Sequence, residues 1–389
     1  MSLRPRRWWW LVGAVLAAVI GSWLLRPDTY VATPQQTKLP AARVDLAQAS
    51  FAAWVNQRAT SPALEALRLS HVAATLVTQS GAMESNGSWT AAGHLTWQYD
   101  GVDPSPASAD VTVRLRTVGG AVTVTGLSAP GRVPVWLDEG ATATRSESIV
   151  VVTAKGVDHD NYERWADRAV TVVGRVLTKW NGPLVVEVPS DATELEQALG
   201  AEVGSYAQVA AITASVDGSS RQDTPVHVFV NPAVMGRLDD RSAQIVLSHE
   251  ATHAATGAAL DTARPLWLSE GFADYVALRD VNVPLTESAG QIAALVRKEG
   301  VPSHLPESQD FDAKSDHFGA EYESAWLACM QLAGDAGEAA LLRLYRQSRE
   351  GGDVNAVMTR TIGYGMQVLV RRWGHRLLQL PGARPSGPG

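Results

Sequence analysis

One cysteine in 389 residues removes two kinds of structure at once. Cys329 excludes an intramolecular disulfide framework, and it excludes a zinc site built from several cysteines. Its neighbours Trp326, Leu327 and Met330 mark it as a packed core thiol. Charge is scarce too: 19% of residues are charged, the net charge is −7, and no basic block occurs beyond the N-terminus. A chain without a basic stripe offers phosphate backbones no counter-charge, so no nucleic-acid partner is expected. What remains, 46% apolar residues over this length, suits one large or two medium globular domains.

The first 26 residues stand apart. Arg4, Arg6 and Arg7 precede an uncharged run from Trp8 to Leu25, closed by Arg26-Pro27. That run is just long enough to span a bilayer, and the Trp8-Trp9-Trp10 cluster suits a membrane interface. The expectation is an N-terminal transmembrane anchor over 1–26, its positive cluster in the cytoplasm and the C-terminal domains outside. A cleaved signal peptide with secretion is the alternative. No convincing small-x-small site follows the run, and no cysteine is present there for lipid attachment, so the uncleaved anchor is preferred.

Residues 27–40 read as a linker. A helical pattern follows at Leu46, Phe51, Trp54 and Val55, with a second helix near 62–69. Alternating runs come next at Val72 to Val77, Gly93 to Tyr99, Val111 to Thr117 and Ala121 to Leu127, with Thr117-Val118-Gly119-Gly120 as a hairpin signal. Helices followed by an antiparallel sheet resemble the nuclear-transport-factor-like cone fold, which implies a small cone-shaped α+β domain over 41–140. His71 and His94 are single histidines there and read as structural.

From 141 the pattern alternates between strand and helix. Ser148 to Thr153 is a buried strand, and Asp160 with Glu163 makes a capping box for a helix carrying Trp165, Ala169, Val172, Val173, Val176 and Trp180. Strands follow at Leu184 to Val188, Val209 to Ser215 and Val226 to Val230, with a helix near 191–199. His227 alternates with valines and reads as a strand residue. Further helices are expected over 287–298, 319–333, 336–349 and 363–379, with a loop at 301–306 and a disordered tail from Pro381.

The chemistry gathers between 242 and 278. His249-Glu250-Ala251-Thr252-His253 reads H-E-x-x-H. On a helix, residues four apart share a face, so His249 and His253 can offer two ring nitrogens to one ion. Glu250 is turned about 100° from His249 and can reach a water on that ion without ligating it. Zinc in hydrolases takes three protein ligands and leaves one position open, and Glu270 is the candidate third. Ile245-Val246-Leu247 gives the helix an apolar entry, Gly257 a stop, and Pro265 suits the start of the next helix. Asp274, four residues after Glu270, can accept the other ring N–H of a ligand histidine.

His249, Glu250, His253 and Glu270, with Trp267-Leu268-Ser269-Glu270-Gly271-Phe272-Ala273-Asp274-Tyr275, resemble the gluzincin zinc metallopeptidases. The likeness is to the peptidase-MA-like group, related to the thermolysin and aminopeptidase N families. It covers roughly the last 230 residues, densely only over 240–280. Sixteen residues (254–269) separate His253 from Glu270, slightly fewer than in those two families, so the connection must be tight. The resemblance implies α+β architecture overall, with a zincin-like α/β upper half and a helical lower half over 141–380. It also implies a Zn²⁺ cofactor, a peptide or protein substrate and hydrolysis with Glu250 as general base. Asp274 corresponds to the acidic residue one turn after the glutamate ligand. Tyr322, in Tyr322-Glu323-Ser324-Ala325-Trp326-Leu327, resembles a tyrosine that stabilises the oxyanion, with His317 as runner-up. Gly81-Ala82-Met83-Glu84-Ser85-Asn86 is similar to an amine-gripping motif of the aminopeptidase N relatives. It carries an extra serine and lies over 160 residues before His249, so it reads as a polar turn.

Two other functions compete. The chain is a binding module on a catalytically weak zincin fold, or the 41–140 domain is a small-ligand receptor beside a structural zinc. An intact base and three ligands argue against the first, and an open fourth coordination position against the second.

Overall fold

The computed structural model describes residues 41–383, apart from 81, 129–130, 181, 312–316 and 351. Alternation of period two builds its first sheet. After α1 (Ala41–Ala59), the strands β1 (Leu69–Ser80), β2 (Ser88–Tyr99), β3 (Ala107–Val118) and β4 (Ala121–Ser128) pair in that order as an antiparallel meander. Every second residue of β2 is buried, including Trp89, Ala91, Leu95, Trp97 and Tyr99, so one face is core. Phe51 and Val55 of α1 join the same cluster. Gly119 and Gly120 turn β3 into β4, both at positive φ (56° and 88°), as a two-residue hairpin requires. The helix expected near 62–69 is a 3-10 turn at Pro62–Leu67. β1 and β2 run beyond the apolar stretches that signal them, because a strand with one more exposed face carries polar residues at alternate positions.

The second sheet is covered on both sides. β5 (Thr142–Arg145), β6 (Ile149–Thr153), β7 (Leu184–Val188), β8 (Ala211–Ser215) and β9 (Val226–Val230) lie in the order β5-β6-β7-β9-β8. β6, β7 and β9 are parallel; the edge strands β5 and β8 are antiparallel to their neighbours. α2 (His159–Val176) connects β6 to β7, and α3 (Ala192–Leu199) precedes β8. Ile149 and Val151 pack with Trp165, Ala169 and Val173 of α2, whereas Val150 and Val152 pack with Trp97 and Tyr99 of the first sheet. The unbroken apolar run in β6 follows from this, since successive side chains enter opposite cores.

The remaining chain is helical: α4 (Pro232–Met235), α5 (Asp240–Thr256), α6 (Leu266–Leu278), α7 (Leu285–Ser288), α8 (Gly290–Glu299), α9 (Phe318–Ala336), α10 (Glu338–Gln347), α11 (Val354–Ile362) and α12 (Met366–Leu378). α11, capped by the Asp353 carboxylate, has no counterpart among the expected helices. α6 and α9 approach so closely that a Cβ on Gly271 would stand 2.3 Å from the carbonyl oxygen of Ala325, and only glycine permits that contact.

The expected fold class, α+β with an N-terminal transmembrane helix, is corrected. The described chain is a mixed α/β arrangement, because three strands of the second sheet are parallel and a helix crosses between two of them. Among the described residues no helix is long and apolar enough to cross a membrane. The run from Trp8 to Leu25 and the 27–40 linker lie outside the described residues, as do residues 384–389 of the tail.

Where the two sheets meet, a polar cluster interrupts the apolar core. His227 lies in β9, as its alternation with valines predicts, but its ring is not idle. Nδ1–H donates to Glu187 Oε1 at 2.7 Å and Nε2–H to Asp103 Oδ1 at 2.9 Å. The Tyr99 hydroxyl donates to the same Glu187 oxygen at 3.1 Å, and its backbone N–H donates to Asp103 Oδ2 at 2.8 Å. Burial opposes the charged imidazolium, but Asp103 and Glu187 outweigh it and raise the pKa of His227 to about 9.

Candidate metal centre

α5 starts and stops on local signals. The Asp239 carboxylate accepts the backbone N–H of Ser242 at 2.8 Å, and Gly257, at φ 66°, closes the helix in the left-handed conformation. Between these caps, residues 245–253 are buried without interruption, so the helix is covered on its whole circumference. His249 and His253, one turn apart, turn their rings to one point, and their Nε2 atoms lie 2.8 Å apart. α6 brings Glu270 Oε2 to 3.3 Å from each of them. These are the three residues, among those described, whose ligand atoms gather as a metal site requires.

The donor set fits zinc, and so do the two spacings to the carboxylate, whereas the 2.8 Å between the Nε2 atoms is closer than two ligands of one ion stand. A tetrahedral ion with bonds of about 2.0–2.1 Å separates its ligand atoms by about 3.3–3.4 Å, close to the two carboxylate distances. His249 Nδ1–H donates to Asp274 Oδ1 at 2.7 Å, which leaves the Nε2 lone pair toward His253 and Glu270. Two imidazole lone pairs and a carboxylate oxygen crowded together call for positive charge between them. Burial disfavours the charged His249, but Asp274 and Glu270 overcome this and raise its pKa to about 10. Burial likewise works against ionised Glu270, but His253 and His249 overcome it and lower the pKa to about 2.

Glu250 is fully buried (0% exposed), and its two oxygens differ. Oε2 accepts a hydrogen bond from Thr213 Oγ1 at 2.7 Å; Oε1 is buried and has no hydrogen-bond partner among the described residues. Burial raises the carboxyl pKa, while His249, His253 and Thr213 pull the other way. Tyr322 stands beside the cluster, its ring 6.5 Å from that of His249 and held edge-on by Phe311 and Phe318, each at 5.0 Å. Burial pushes its phenol pKa well up, and Glu270, Asp274 and Glu250 add to the effect, so the hydroxyl keeps its proton. His317 is elsewhere: its Nε2 lies 3.7 Å from Glu299 Oε1 in a half-exposed pair.

Two contributors carry no local signal in the sequence. Thr213 reaches Glu250 from β8 across 37 positions. Arg264 and Asp261 form a buried ion pair at 2.9 Å inside the short α5–α6 connection. The Arg264 guanidinium also lies 3.7 Å over the Tyr345 ring and donates to its carbonyl. This staple holds the connection tight enough for Glu270 to meet the histidines.

No family model matches the sequence, and no curated protein matches it. Among solved structures the chain is similar to a variant of an M1 zinc metallopeptidase from Deinococcus radiodurans. The identity is 14% and the TM-score 0.37, over 82% of this chain and 64% of that one. The variant bound to a Tyr-Ser-Ala substrate gives 14% and 0.36, over 78% and 63%. A two-domain M1 zinc metallopeptidase variant bound to L-arginine gives 13% and 0.35, over 79% and 61%. The chain spans less than two thirds of the length of these structures, and a likeness of this degree assigns no residue a role.

Proposed function

We propose that residues 141–380 form a zinc-dependent peptidase in which His249, His253 and Glu270 hold the ion and Glu250 is the general base. One observation carries the reading: three ligand atoms from α5 and α6 meet within 4.8 Å of one another beside a buried carboxylate with one unengaged oxygen. Bound there, zinc supplies Lewis acidity toward a water molecule and a carbonyl oxygen.

The other steps fall to the chain's own side chains. Glu250 takes the water's proton on its carboxylate. Burial raises its affinity for that proton, which suits it to hold the proton and then deliver it to a leaving amine. Asp274 keeps the His249 ring in one tautomer. Tyr322, protonated and adjacent, offers its hydroxyl to the oxygen that gains negative charge. A water attack on a neutral acyl carbon, with an amine to be protonated as it leaves, is peptide-bond hydrolysis. Complete burial of Glu250 favours one competing reading, a zinc-holding binding module without turnover.

A single comparison separates them. The purified chain carries about one zinc, which Glu270→Ala loses. Glu250→Gln keeps zinc and fold and lowers hydrolysis of a peptide library by about 10²- to 10⁴-fold. A zinc-loaded wild type no more active than Glu250→Gln would hand the site to the binding module.

A further inference from the structure

We infer that Thr213 is a positioning residue for the general base: its hydroxyl pins one oxygen of Glu250, so that the other is the oxygen that accepts the proton. The inference rests on the peptidase reading and goes beyond it, to a strand outside the metal-binding helices.

The strand itself supplies the first argument. β8 is an edge strand whose residues alternate between two apolar cores. Ile212 enters the core shared with the first sheet, and Ala211 enters the core shared with the helices. Thr213 is on the helix side with Ala211 and is buried (4% exposed). In a dry, strand-borne site of this size valine is the expected occupant, nearly the same shape and without a hydroxyl to desolvate. A threonine here is stable only if its hydroxyl is satisfied.

The second argument is where that hydroxyl goes. Thr213 Oγ1 lies 2.7 Å from Glu250 Oε2 and 2.9 Å from the Glu250 backbone carbonyl. Both acceptors belong to the same residue, so the single hydroxyl proton is shared between them, with the shorter contact at the carboxylate. The shorter contact restrains the turn of the carboxylate about its terminal bond. The opposite oxygen, Oε1, is buried and has no hydrogen-bond partner among the described residues. A buried carboxylate with one gripped and one unengaged oxygen has lost its two-fold equivalence. Without the grip, the carboxylate turns about its terminal bond, whose torsional preference is broad, and each oxygen is presented only part of the time.

The hydroxyl therefore acts on the proton-transfer step and not on substrate affinity. Thr213→Val removes the hydroxyl at constant shape, and Thr213→Ser restores it. In the full chain, Thr213→Val keeps its zinc and lowers kcat on a fluorogenic peptide by about 10- to 100-fold, as expected for one hydrogen bond to a charged group. KM changes by less than about twofold, and Thr213→Ser recovers most of the lost kcat. A second readout needs no turnover. Unfolding midpoints of Thr213→Val, Glu250→Ala and the double variant do not add, because the second substitution removes a contact already lost. Full kcat in Thr213→Val, a loss in Thr213→Ser equal to that in Thr213→Val, a rise in KM alone, or additive midpoints would each overturn the assignment. A zinc-loaded wild type without hydrolysis would instead remove the peptidase reading, and this inference with it.

Discussion

The buried imidazolium between the sheets makes stability fall on the alkaline side. His227 binds its proton with a pKa of about 9 in the folded chain, against about 6.5 when exposed. The raised value means that the folded state holds the proton more tightly, so the contribution is fully present below pH 6.5. It is lost progressively as the pH rises through 9. A gap of that width corresponds to about 3 kcal/mol, at about 1.4 kcal/mol for each tenfold change in proton affinity. The group is buried, so solvent screening does not reduce it. Urea unfolding of the full chain between pH 6 and 9.5 measures the loss as a falling midpoint. Burial also raises Glu321 to about 7 and Glu323 to about 8. These groups prefer the proton when folded and add their own loss between about pH 4.5 and 8. The comparison with His227→Gln isolates the imidazolium. The variant is less stable at pH 6, because Asp103 and Glu187 then face each other's charge without a cation, and its stability falls less steeply above pH 6.5. Equal slopes in the two proteins would refute the charged cluster as the link between the sheets.

Two further outcomes test particular contacts. Tyr322→Phe removes only the phenolic oxygen; kcat falls by about 10²- to 10³-fold with the fold unchanged, and a loss under about threefold in steady-state hydrolysis would take Tyr322 out of the reaction. Gly271→Ala forces α6 and α9 apart, since its Cβ would meet the Ala325 carbonyl at 2.3 Å and Cys329 Sγ at 3.1 Å. The overpacking costs about 1–3 kcal/mol, read as a lower thermal midpoint, and an unshifted midpoint would mean that the helices yield freely.

The parts of this site that can be read from the chain are those separated by one helical turn. His249 with His253, and Glu270 with Asp274, announce themselves because a spacing of four on a helix is already a statement about space. Gly257 and the Ile245-Val246-Leu247 entry are legible for the same local reason. Thr213 is not, since nothing between it and Glu250 records that β8 lies against α5. The Asp103–His227–Glu187 cluster is hidden more deeply: its partners lie 124 and 40 positions from the histidine, and His227 by itself shows only strand alternation. The expected fold class fails at a related point. Apolar runs mark β6, β7 and β9 as strands, but whether neighbours run parallel depends on how α2 crosses, which periodicity does not encode.

The complete covering of α5 also bears on time. A helix with no solvent-facing stripe between 245 and 253 has no edge from which to fray, so its amides exchange with deuterium only when the second sheet, α2 and α6 come apart together. The two histidines ride on that helix. Amide exchange over residues 245–253 is therefore expected to track the opening of this whole core, with no faster local phase.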